Sequence, residues 1–531
     1  RMSRLMQSLL VLSFAASSCG FKILVYNPKF GHSHSNFMSR IADVLVEAGH
    51  DVTSLIPEIW PDVADGTTKS TRIIRLPQDE RVREARARGA AARVDYWKTE
   101  FDLKAAQMIR SRLNSMFCPQ CEATIRHPGL LEELRQNNYD LLIYESYDYC
   151  ALGLLHVVGI KATIAVSTTT LIDNVAFDLG IPVVPSYNPS FSTLHLDSSL
   201  WSRALNIYQT HLVKVRWDGA LECANEIFQR EFRNFPGMKK LTSGAAFVFT
   251  NSEPLIDFAR PLLRKVVDLG GIGIQKPKPL EESWDAFLNR RSSNVLVSFG
   301  SMVKSAQMPS SLKHSLVQLF TTCPNITFIW KYEEPEDEFA RSLLASLANV
   351  VLIKWTPQND LLGDGRVTGF ISHGGMSSCQ EAAAQGVPGI FIPLFGDQPR
   401  NAAMMEHNGI GLVLDKREAA HPKRLSETFD RLLTTKSLYV NAKKTSRMLS
   451  RRPFSPRELL VKHVEFAAEF GSAKSLTPRG LQLGWIQYFL VDVIAAALLA
   501  LTLAVIIAFF ICRSLVILIR NRMSKGKAKT S

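Results

Sequence analysis

The stretch Trp355–Leu414, WTPQNDLLGDGRVTGFISHGGMSSCQEAAAQGVPGIFIPLFGDQPRNAAMMEHNGIGLVL, alternates short apolar runs (Val367–Ile371, Gly389–Pro393) with helix-like runs (Ser377–Gln385, Gln398–His407). Each joint carries Gly, His, Ser or Asp, the pattern of successive strand-to-helix turns in a parallel sheet. Ligands bind at such turns. At the centre, Ser372-His373-Gly374-Gly375 ends a strand and opens a helix, and the glycines let the backbone approach a ligand closely. Ser377 or Ser378 is expected to cap that helix, so that its free amides and positive dipole end face outward as a diphosphate seat. His373 can donate to a phosphate oxygen, and Glu381, two turns on, can hold a pair of ribose hydroxyls.

Working outward, the strand Val350–Ile353 leads into Trp355-Thr356-Pro357-Gln358, an indole beside an amide, suited to stacking on a base and bonding its polar edge. At the next joint, Asp397 and Gln398 can hold sugar hydroxyls. Base, phosphate and sugar binders thus follow one another on consecutive turns. This ordered set resembles the UDP-glycosyltransferase family, specifically the membrane-bound animal UDP-glucuronosyltransferases. The resemblance implies an α/β GT-B fold, two Rossmann-like parallel-sheet domains facing a cleft, with the nucleotide sugar held by the second. The chain departs from the vertebrate pattern at Ser377, where an Asn is usual.

The first half opens with a strand at Lys22–Tyr26, a helix to Ala48 with Phe37, Ile41, Val44 and Leu45 at helical spacing, and a strand at Val52–Ile56. Its first turn reads Gly31-His32-Ser33-His34-Ser35. A helix N-terminus beside His34 disfavours imidazolium, so His34 is expected to be neutral and able to take a proton. The family's catalytic histidine follows a serine in this turn, which points to His34, with His32 as the alternative. A strand at Leu141–Tyr144 delivers Glu145 to the same sheet edge, where a carboxylate on the far ring nitrogen would fix the tautomer. The vertebrate pattern has an aspartate there, and Asp148 is the other candidate.

The remaining expected segments are a signal peptide at 1–20, an acceptor-binding domain at 21–269 and a linker at 270–293 that begins with GGIGIQKPKP. A donor-binding domain at 294–455 follows, with Gly300 and Ser301 at a turn facing the diphosphate. Next come a helical and juxtamembrane stretch at 456–492, a transmembrane helix at 493–512 and a cytosolic basic tail at 513–531. Within 456–492, the helical run Pro456–Phe470 is expected to pack back toward the first domain.

The net charge of +13 does not argue for nucleic acid, because six of its cations sit in 513–531 without an acid and Arg1 and Arg4 lie in the leader. The basic run Arg81–Arg88 has Glu84 interleaved and reads as a solvated helix. The tail orients the span as type I, with a lumenal body, and Lys527 and Lys529 resemble an endoplasmic-reticulum retrieval signal. Asn325-Ile326-Thr327 is a glycosylation sequon. Cys118 and Cys121 lack a second pair at zinc spacing, so a local disulfide or two free thiols is expected.

The reaction read from these residues transfers a sugar, glucuronate or alternatively glucose, from its UDP donor to a hydroxyl of a small lipophilic acceptor. No metal or other cofactor is expected, and a homo-oligomer is open. A dehydrogenase is disfavoured because the first turn lacks GxGxxG. A non-catalytic binding protein on the same fold would be expected to lack His34 or His373.

Overall fold

The computed structural model describes residues 20–91, 95–100, 102–194 and 196–527. The leader and most of the lysine tail fall outside them. Residues up to Leu476 form one compact unit and those from Thr477 a second.

The first unit contains two all-parallel sheets. The seven-stranded sheet runs β3-β2-β1-β4-β5-β6-β7. Its strands are β1 (Lys22–Tyr26), β2 (Asp51–Pro57), β3 (Arg72–Leu76), β4 (Leu141–Glu145), β5 (Ala162–Ser167), β6 (Phe247–Thr250) and β7 (Val266–Asp268). The six-stranded sheet runs β10-β9-β8-β11-β12-β13. It is built from β8 (Ser293–Ser298), β9 (Ile326–Lys331), β10 (Val350–Ile353), β11 (Val367–Ser372), β12 (Gly389–Phe391) and β13 (Gly411–Val413). Both central strands are followed by an order reversal, and the crevice at that point is where ligands bind.

Alternate residues of each strand feed separate cores, which is why the strands read as nearly continuous apolar runs. On one face of the first sheet, Ile23, Val25, Leu141 and Ile143 pack under helix α1 (His32–Glu47) through Phe37, Met38, Ile41 and Leu45. On the other face, Leu24, Tyr26, Leu142 and Tyr144 meet Phe117, Leu152 and Phe228. Those three come from helices α2 (Leu103–Ile125), α3 (Cys150–Val158) and α4 (Leu200–Glu231). Helix α4 is the longest of the three, at 32 residues. In the second sheet, Val295 and Val297 face one core and Leu296 the other.

Two expectations are corrected. The segment 270–293 is not linker throughout: helix α5 (Glu282–Leu288) buries Trp284 and Leu288 against Leu296 and Phe370 of the second sheet. Nor do Cys118 and Cys121 pair locally or remain as thiols. Cys118 bonds Cys223 and Cys121 bonds Cys150. Both lie on α2, where residues three apart hold their Cβ atoms about 5–6 Å apart, too far for the ~3.8 Å of a disulfide. Each therefore reaches a different neighbouring helix.

Helix α6 (Met376–Gln385) follows β11 and helix α7 (Gln398–His407) follows β12. Helix α8 (Pro456–Phe470) returns to the first sheet, where Leu460, Val464 and Ala467 join the core under α1. In the second unit, helix α9 (Val491–Lys527) carries a stretch, Val491–Arg522, long and apolar enough to cross a membrane. It is longer than the expected 493–512.

Candidate active site

The first turn places His34 in the opening turn of α1, which begins at His32. Its Nδ1 lies 2.5 Å from Thr168 Oγ1 and 3.4 Å from Glu145 Oε2. Glu145, the last residue of β4, is fully buried, and its Oε1 has no partner among the described residues. In the tautomer with the proton on Nδ1, directed at this pair, the lone pair of Nε2 is left for a substrate. Asp148 is committed elsewhere: it accepts from Tyr26 Oη at 2.9 Å and the Cys150 amide at 3.0 Å. Burial pushes its carboxyl up to about 6. Of the two carboxylates considered, Glu145 is the one at His34. Sequence reasoning missed Thr168; its only signal was its place just beyond the end of β5, the strand that pairs with β4.

Aromatic rings wall this corner. Phe30 lies 4.5 Å and Tyr147 4.8 Å from the His34 ring, and Trp217 stands edge-on to Tyr147 at 4.3 Å.

On the second sheet, β11 ends at Ser372 and α6 starts without a side-chain cap. The expectation that Ser377 or Ser378 caps it is corrected, because Gly375 occupies the N-cap and Ser378 Oγ instead accepts from Gln358 Nε2 at 3.0 Å. The amides of the first turn are thus left without an internal acceptor. The His373 imidazole is pinned between two glycine turns: a Cβ on Gly300 or Gly375 would sit 2.6 or 2.7 Å from its Nε2. Burial first, and Lys331 second, push His373 down to about 4, so it is neutral at pH 7 and acts as a dipole.

A cleft of about 640 Å³ gathers residues from both sheets. His32 and Ser33 line it from the first turn, and Gly300, Ser301, Trp355, Gln358, Ser377 and Glu381 line it from the second domain. Trp355 is two-thirds exposed, with its face available, and Lys331 Nζ stands 5.3 Å over the ring. Lys331 also donates to Gly300 O at 2.8 Å. It is a cation at the Gly300 turn that the sequence reading did not single out, concealed as the last residue of an apolar strand. Gln358 donates to Glu381 Oε2 at 2.6 Å, and burial pushes the Glu381 carboxyl up to about 7. Gln398 is only partly available, since its Oε1 accepts from the Leu394 and Phe395 amides at 2.9 and 3.1 Å. Asp397 accepts from Asn401 at 2.8 Å. Its carboxyl is pushed up by burial, partly offset by the Asn401 hydrogen bond. The two domains meet beside this acid, where Ser192 Oγ of the first donates to Gly396 O of the second at 3.2 Å.

The model for the family described as UDP-glucoronosyl and UDP-glucosyl transferase matches residues 21–529. The chain belongs to this family. Among its relatives, human UDP-glucuronosyltransferase 3A1 is 30% identical over 513 residues, covering 93% of each chain. Mouse UDP-glucuronosyltransferase 1A9 is 28% identical, covering 90% of this chain and 89% of its own. The fold matches the crystal structure of glycosyltransferase VinC in complex with dTDP, with a TM-score of 0.56 and 15% identity over 85% of this chain and 100% of that one. As a UDP-glycosyltransferase of GT-B fold, the molecule carries its candidate site at the junction of the two sheets, where both crevices open.

Gly300 tests the donor half directly. It has φ +80°, and its missing Cβ makes room for His373. Gly300→Ala is expected to weaken UDP binding about tenfold, the effect of the ~1–2 kcal/mol needed to hold an L residue in that conformation. Calorimetric titration with UDP reads it, and unchanged affinity would separate this turn from the donor seat.

Proposed function

We propose that the protein is an inverting UDP-glycosyltransferase that moves glucuronate to a hydroxyl of a small lipophilic acceptor. The observation that carries this reading is the pairing of His34 with Glu145 and Thr168 in the turn whose His32 and Ser33 line a cleft with Gly300, Trp355, Gln358 and Glu381 of the second domain. His34 Nε2 takes the acceptor's proton, and Glu145 stabilises the imidazolium that results. The acceptor oxygen bonds to the anomeric carbon as the bond from that carbon to the UDP oxygen breaks on the opposite face. The charge that develops on UDP is met by Lys331 and the uncapped amides of α6, with neutral His373 as a further donor. Trp355 stacks on the base with Gln358 at its edge, Glu381 holds the ribose, and Gly300, Ser301, Gly375 and Ser377 line the diphosphate. Asp397 and the amide of Gln398 face the sugar hydroxyls. Phe30, Tyr147 and Trp217 give the acceptor apolar walls.

The choice of glucuronate rests on the relatives named UDP-glucuronosyltransferases. The catalytic body is placed in the lumen of the endoplasmic reticulum, which the two disulfides support, because such bonds persist in oxidising compartments. UDP release with UDP-glucuronate and UDP-glucose over a panel of phenols and sterols tests the reading. Release with glucuronate and a phenol is expected. Release with glucose alone would move the donor, and release with neither would leave a binding protein on a transferase fold.

A further inference from the structure

The joint between β12 and α7, at residues 395–400, belongs to the second sheet, yet the first domain grips it at successive points. Tyr96 packs on Phe395 with ring centroids 4.4 Å apart, and Ser192 Oγ donates to Gly396 O at 3.2 Å. Arg400 goes further and enters the first domain, its side chain only 2% exposed. Its Nη2 lies 2.7 Å from Asp257 Oδ1, its Nε donates to Pro189 O at 3.3 Å, and its guanidinium stands 5.3 Å over the Phe258 ring. At the other end of α7, the His407 ring packs 5.2 Å from Phe258, and Asn408 donates to Ile256 O at 2.6 Å.

From Asp257 the contact continues toward His34. Thr170 Oγ1 donates to Asp257 Oδ2 at 3.2 Å, and Ser167 Oγ donates to Thr170 O at 2.8 Å, which closes the short turn carrying Thr168. Asn251, just beyond the end of β6, donates to Thr168 O at 3.0 Å. Thr168 in turn lies at His34 Nδ1.

We propose that Arg400 is a positioning residue for sugar transfer: through Asp257 and the turn 168–170 it holds the joint Gly396-Asp397-Gln398 in a fixed relation to His34. The proposal rests on the reading of Asp397 and Gln398 as the holders of the sugar. Stability alone is a poor reason for the pair, because desolvation of a buried ion pair offsets much of its attraction and apolar side chains of similar volume often serve as well. Nor does Arg400 use all its donors, since Nη1 has no hydrogen-bond partner among the described residues. What the pair supplies is direction. A planar guanidinium held at once by a carboxylate, a carbonyl and an aromatic face admits few arrangements of the two domains, whereas apolar contacts can slide. Positioning matters at this scale, because a shift of about 1 Å between reacting groups can cost about 10²-fold in rate.

The test uses the full chain in detergent, with turnover expressed per UDP site counted by calorimetry, so that any unfolded fraction drops out. Arg400→Met combined with Asp257→Leu removes both charges together, since either change alone would leave a buried ion unpaired. This form is expected to turn over about 10²-fold more slowly per site while its Kd for UDP stays within about twofold of the parent's. Arg400→Lys keeps the charge on a flexible stem that cannot hold carboxylate, carbonyl and ring together, and is expected to lose about tenfold. Turnover per site within about twofold of the parent in either form would overturn the proposal, and so would a loss of UDP affinity that matches the loss of turnover. A parent without turnover would overturn the functional reading and this role with it, whereas an active parent beside unaffected variants overturns the role alone.

Discussion

The His34→Ala variant is expected to bind UDP as the parent does and to turn over about 10²–10⁴ times more slowly, the range a positioned general base supplies. The separation follows from the architecture. Trp355, Gln358, Glu381 and the α6 amides, proposed to hold the nucleotide, belong to the second sheet's turns, whereas His34 belongs to the first turn of the other sheet. The imidazole packs on Phe30 and Tyr147 but is itself partly exposed, so its removal does not leave a fully enclosed cavity. Calorimetry with UDP and the rate of UDP release read the two quantities independently. His32→Ala should cost far less, because His32 lines the nucleotide cleft while Glu145 and Thr168 attend His34. Glu145→Gln, which keeps the shape and removes the charge, should fall between them. Normal turnover in His34→Ala would reject the assignment, and loss of UDP affinity there would mean the histidine serves the donor instead.

The βα rhythm was legible in the sequence because both faces of each sheet are buried and each turn carries its own punctuation. Thus Lys22–Tyr26 and Gln398–His407 were delimited to the residue. The candidate donor residues could be placed for the same reason: they fall at strand ends in consecutive order, and Gly300, Ser301, Trp355, Gln358, Ser377 and Glu381 line one cleft. Less legible was what depends on contacts distant in sequence. Thr168 reaches His34 across 134 positions, and the strands that bring them together are not neighbours in the chain. The partners of Cys118 and Cys121 depend on how α3 and α4 pack beside α2. Segment 282–288 looked like linker because its neighbours are Gly and Pro, yet Trp284 and Leu288 supply enough apolar area to close a core. Capping failed for a local reason: Ser378 satisfies Gln358, and the N-cap falls to Gly375, whose bare backbone leaves the helix end open to a ligand.

Lys265→Met is expected to stabilise the protein at pH 7 by up to about 3 kcal/mol, and by progressively less as the pH approaches 10.5. Lys265 immediately precedes the last strand of the first sheet with its side chain fully buried, and its Nζ has no hydrogen-bond partner among the described residues. Burial alone lowers the amine from 10.5 to about 8. Each unit of such a shift is worth about 1.4 kcal/mol, which sets the size of the effect. Below pH 8 the amine is protonated in both folded and unfolded chains, so folding carries the full cost of burying the charge. Between 8 and 10.5 the folded chain releases its proton while the unfolded chain keeps it, so the unfolded state binds more protons and stability of the parent rises with pH. Methionine has nearly the same shape and no charge, so its contribution does not follow pH and the gap between the two chains should close across that window. Urea midpoints of the full chain in detergent at pH 7 and pH 10 measure it. A variant less stable at pH 7, or a gap that stays constant to pH 10, would mean that the ammonium has found compensation inside the fold and that its burial is supported rather than tolerated.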